Sequence, residues 1–72
     1  MENEFNWISF NNWIIGGFYE ERDIDNNITF LGELKNKSLK GFSYDPFMKM
    51  VFEKDGIEYI YIIQNCMVYR KI

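Results

Sequence analysis

Bulky and polar residues alternate along this chain in short runs, separated by polar reversals at a spacing of about ten residues, the rhythm of a small β-fold. The clearest run is residues 57–63. It sets Ile57, Tyr59, Tyr61 and Ile63 on one face and Ile60 and Ile62 on the other. Apolar residues on both faces predict a central or covered strand. Lys54-Asp55-Gly56, just before it, is the strongest hairpin signal in the chain. Upstream, residues 47–52 read as a strand, Asp45-Pro46 as a turn, 39–44 as a strand and Asn36-Lys37 as a reversal. Residues 28–34 read as a strand with an irregularity at Gly32. Residues 20–27 form a polar, acidic turn in which Asp25-Asn26-Asn27 suits left-handed backbone. Residues 13–19 (WIIGGFY) predict a strand bent or bulged at Gly16-Gly17, and 66–71 predict the last strand. Residues 3–10 fit a strand or a helical turn about equally well.

Composition points the same way. Alanine is absent and leucine occurs three times, whereas Ile, Val, Thr and the aromatics supply 27 of the 72 residues. Alanine and leucine lead the helix scale; β-branched and aromatic side chains fit a pleated surface. The expected fold is therefore mainly β: a small antiparallel meander or barrel-like sheet of five to six strands with little helix. A chain this short makes one domain over residues 1–72 and buries only about 60% of its unfolded surface. It nonetheless carries 14 aromatics. More rings than one small sheet can hide predict that some face a partner or a second copy, and a homodimer is one outcome.

The chemistry is mostly exclusion. No histidine is present, so the commonest general base and metal ligand are missing. The lone Cys66 has no activating base, makes no internal disulfide and reads as an inert small hydrophobe in a strand. Glu20, Glu21, Asp23 and Asp25 cluster, but neither the glycine nor the distal glutamate of a calcium loop is in place. Gly16-Gly17 lacks the Lys-Ser/Thr of a phosphate loop. The expectation is no enzyme, no metal and no cofactor. No apolar run reaches 18 residues and the start is acidic with no cleavage site, so a soluble cytoplasmic protein is expected, with neither membrane span nor secretory signal.

Charge is uneven. Residues 1–36 carry a net −5 and residues 37–72 a net +2. Aromatic anchors ringed by charge are the pattern of a protein-binding patch. The expected site is Trp7, Trp13, Phe18 and Tyr19 as anchors, with Glu20, Glu21, Asp23 and Asp25 steering toward a basic protein surface. The leading reading is a non-enzymatic module that blocks or caps a partner, in the manner of small phage-type inhibitors of host machinery. The alternative is a small-ligand or nucleotide binder, oligomeric if sites lie between subunits. Direct nucleic-acid binding is disfavoured by a net charge of −3, although Lys35, Lys37 and Lys40 beside Phe42 and Tyr44 offer one local stacking platform.

Over about a third of its length the chain resembles the short bacterial domain found at the end of some lysyl-tRNA synthetases. The likeness runs through Ser38, Tyr44-Asp45, Phe52, Gly56 and Tyr59-Ile60-Tyr61. The interval from Tyr44 to Gly56 is shorter than in that family, and its terminal helix with a Gly-Lys element has no counterpart. No site residue is carried over.

Overall fold

The computed structural model describes residues 4–72. A 3-10 turn at Phe10–Asn12 precedes five strands: β1 (Phe18–Arg22), β2 (Ile28–Phe42), β3 (Asp45–Lys54), β4 (Ile57–Ile62) and β5 (Val68–Lys71). All pair antiparallel in one sheet of order β4-β3-β2-β1-β5. The mainly β, meander-like expectation holds. No helix among the described residues is long and apolar enough to cross a membrane.

The sheet is strongly curled, and its connections show why. β4 and β5 are the two edges, yet only five residues join them. Flat, five strands would set those edges about 19 Å apart. The linker tightens further through a bond from the Met67 N–H to the Gln64 carbonyl, so the edges must bend toward each other. The segment before β1 closes much of the remaining gap. Asn6 pairs with Tyr69 on the outer edge of β5, its N–H donating at 2.9 Å and its carbonyl accepting at 2.8 Å.

The concave face holds the core. Trp13, 1% exposed, is the plug, with its ring 4.6 Å from Tyr19, 5.2 Å from Tyr69 and 6.3 Å from Phe52. Leu31, Leu34, Met48, Met50 and Ile63 fill around it. Met48, Met50 and Phe52 are alternate residues of β3, which is the period-two signature of a half-buried strand. The ring polar atoms are satisfied: the Trp13 indole donates to the Ile8 carbonyl and the Tyr59 hydroxyl to the Leu31 carbonyl. The Tyr19 hydroxyl accepts from the Ile14 N–H.

Several expectations need correction. The reversal expected at Asn36-Lys37 is absent, and β2 runs through it for 15 residues. A continuous partner, β3, satisfies the backbone there, and Lys35 bulges out so that pairing resumes beyond it. The turn expected at Asp45-Pro46 lies two residues earlier, at Ser43-Tyr44, and Pro46 sits inside β3 opposite Gly41. Residues 13–17 are not strand. They wrap through a turn closed by the Gly17 N–H on the Ile14 carbonyl, with Gly16 at φ 96°, and β1 starts only at Phe18. β1 also takes in Glu20 and Glu21, which were expected in a turn. Residues 57–63 form the expected strand but at the sheet edge rather than its centre, so Ile57, Ile60 and Ile62 stay exposed. Cys66 is exposed in the β4–β5 turn rather than set in a strand.

Two glycines illustrate different needs. Gly32 sits beside a bulge in the β1–β2 pairing at φ 104°, where an added Cβ would overlap the Glu53 carbonyl. Gly56, at φ 80° in the Asp55-Gly56 hairpin, faces open space. Gly32→Ala is therefore expected to cost more than about 2 kcal/mol, by adding overlap to strain, and Gly56→Ala about 1 kcal/mol, by strain alone. Urea unfolding of the two variants checks the order.

Candidate functional site

The structure disperses the expected aromatic-acidic patch. Trp13 and Tyr19 are core residues and present nothing to a partner. The reason is curvature: a sheet this small closes only around large side chains, and these two are the ones its concave face meets. Phe18 is on the opposite, convex face, stacked on Phe30 at 6.4 Å. Trp7 stays 48% exposed and belongs to a different surface, described below.

The acids are largely occupied by the fold. Glu20 accepts from Arg70 at 2.7 Å and 3.0 Å across the β1–β5 pair. The same guanidinium lies 4.1 Å over the Phe5 ring, with Arg22 5.1 Å from that ring's centre. Glu21 faces inward, where its carboxylate accepts from the Tyr69 hydroxyl at 3.2 Å. Burial raises its pKa above the usual carboxylate range, against the lowering effect of that bond. Asp23 caps the β1–β2 loop, accepting the N–H groups of Asp25 and Asn27 at 2.9 Å each. Those bonds, the Asn27 N–H first, hold its pKa below the ordinary value. Of the four acids only Asp25, at the loop tip, is exposed.

The lysine platform does not assemble either. Lys37 turns inward, donating to the Phe10 and Trp13 carbonyls at 2.9 Å and 2.7 Å with its ammonium 4.8 Å from the centre of the Phe10 ring. Lys35 lies between Glu33 and Glu53 on the convex face. Phe42 and Tyr44 do stack, at 5.4 Å, on the exposed β2–β3 hairpin. Among the described residues no three potential ligands converge to hold a metal ion.

A cleft of about 340 Å³ lies elsewhere on the molecule. The pre-β1 segment supplies Trp7, Ser9 and Phe10; the distal β2–β3 hairpin supplies Leu39, Pro46, Phe47 and Met48; Ile63 and Asn65 close one side. Asp45 is its sole charged lining residue. The cleft exists because β2 and β3 extend beyond their neighbours. β1 pairs with β2 only from Ile28 to Glu33, so from Leu39 onward β3 is the one strand beside β2 among the described residues. Met48 and Ile63 form its floor at 7% and 6% exposure, and Trp7 and Phe47 stand half-exposed beside them. Of the predicted residues only Trp7 contributes. The period-two run Met48, Met50, Phe52 hints at the floor, but the overhang of the hairpin depends on strand lengths that alternation alone does not reveal.

Because its pKa is raised, Glu21 favours the folded state most when protonated. That contribution is complete below the unfolded carboxyl pKa and is lost as pH rises through the folded one. Glu21→Gln keeps an acceptor for Tyr69 without the desolvated charge. It is expected to raise stability at pH 7 and to leave it little changed at pH 3, a difference that denaturant titration at both pH values checks. Searches of protein-family models, curated proteins and solved structures find no match to this chain, so its function is argued from this geometry.

Proposed function

We propose that the protein is a non-enzymatic binding module that caps a partner protein by taking one of its bulky apolar side chains into the Trp7–Phe47 cleft. The observation that carries this reading is a cleft whose lining joins half-exposed Trp7 and Phe47 to the buried Met48 and Ile63. Interface energy concentrates in such aromatic-lined pockets, which exclude water around a single anchor. Asp45 in the lining and a net charge of −3 favour a partner segment with Lys or Arg beside the anchor. This moves the contact surface from the acids of β1 to the open end of the sheet.

The volume also favours a second reading, a small apolar ligand, since it lies at the lower end of the range for small-molecule sites. A nucleotide fits less well, because the lining offers a carboxylate and neither lysine nor arginine.

Affinity capture from the native host with four baits separates these ideas. Wild type is expected to retain a specific protein, and Trp7→Ala and Phe47→Ala each to weaken that retention by more than about 2 kcal/mol, or roughly thirtyfold in Kd. An Asp25→Lys bait should lose on-rate but keep the partner. Retention unchanged in both aromatic variants would refute the cleft as the contact surface. A thermal-shift screen covers the second reading, since a ligand at a hundredfold its Kd adds about 2.7 kcal/mol of stability.

A further inference from the structure

The two edges of the sheet are treated differently. The outer edge of β5 is covered by Asn6, whereas β4 pairs only with β3 among the described residues. Natural edges are blunted by lysine, proline, bulges or short length. Residues 57–63 contain none of the first two, pair with β3 without a register shift, and carry one charge, Glu58.

The ladder tells which backbone groups are open. The Ile63 N–H donates to the Met48 carbonyl, so residues 63, 61, 59 and 57 turn their polar groups toward β3. Glu58, Ile60 and Ile62 therefore direct N–H and C=O away from the sheet. Their side chains stand on the convex face, where Ile60 is 61% exposed.

We propose that β4 is a self-association edge, joining a second copy of this chain antiparallel about a two-fold axis at Ile60. This register alone uses all three open residues of each strand. Ile60 opposes its own symmetry mate and Glu58 opposes the mate's Ile62, which gives six backbone hydrogen bonds by the antiparallel rule. On the other face Tyr59 opposes Tyr61 of the second copy.

Charge selects the same arrangement. Within one chain Glu58 is directly opposite Glu53, an unfavourable like-charge pair, and Lys35 is shared among Glu33, Glu53 and Glu58. Lys49 lies opposite Ile62 on β3. Setting Glu58 beside the second copy's Ile62 places that copy's Lys49 one strand further along the same face, about 10 Å away, a cation from the other chain set toward the acidic cluster.

Sedimentation equilibrium under reductant, which removes any Cys66 cross-link, tests the proposal. Wild type is expected to dimerise reversibly, and the Glu58, Ile60 and Ile62 amides to exchange more slowly as concentration rises. Ile60→Lys and Ile60→Glu each place like charges at the axis and should weaken the dimer more than tenfold, as read from the dissociation constant. Mixing the two variants should restore a dimer, which also shows that both still fold. A wild type that stays monomeric to millimolar concentration overturns the proposal. So does a dimer that neither variant weakens, or a mixture that fails to associate.

Discussion

The fold depends on Trp13. A five-stranded sheet of this size has too little area to form a second layer, so it must bend around something, and the pre-β1 segment delivers that ring to the concave face. The contacts are specific as well as apolar. The indole N–H is tied to Ile8, the ring meets Tyr19, Tyr69 and Phe52, and Lys37 anchors the backbone on either side through the Phe10 and Trp13 carbonyls. A lysine that reads as a candidate for phosphate thus serves as a brace for the plug.

That brace has consequences at the surface. Drawing the early segment across the mouth of the sheet consumes Trp13 and Tyr19 as core and strands Phe18 on the convex side. It also carries Trp7 to the overhanging β2–β3 hairpin, where the cleft forms. The acids of β1 meet a similar fate. Each of Glu20, Glu21 and Asp23 finds an internal partner, because β1 lies beside β5 and ends at a tight loop. An acidic stretch in a small protein is spent readily on its own architecture, since few residues there are far from a donor.

Polar needs also set the division between closed and open edges. The segment that plugs the core passes along β5 and pairs with it, and nothing comparable reaches β4 among the described residues. The exposed isoleucines of β4 and the half-exposed rings of the cleft belong to one economy: a chain with many apolar side chains and a single small concave face leaves some outside.

The β character, the Asp55-Gly56 hairpin, the irregularity at Gly32 and the last strand were legible in the residues themselves. Each rests on local physics: β-branched and aromatic propensity, period-two alternation, and backbone conformations that favour glycine. The same local signals misplaced a reversal at Asn36-Lys37 and centred a strand that is an edge, because turn residues are tolerated in a strand whose neighbour satisfies the backbone, and alternation does not report how many neighbours a strand has. Which rings became core, which acids were neutralised and where a cleft opened were decided by the curl of the sheet. That curl arises from contacts between residues far apart in sequence, such as Asn6 with Tyr69 and Lys37 with Trp13.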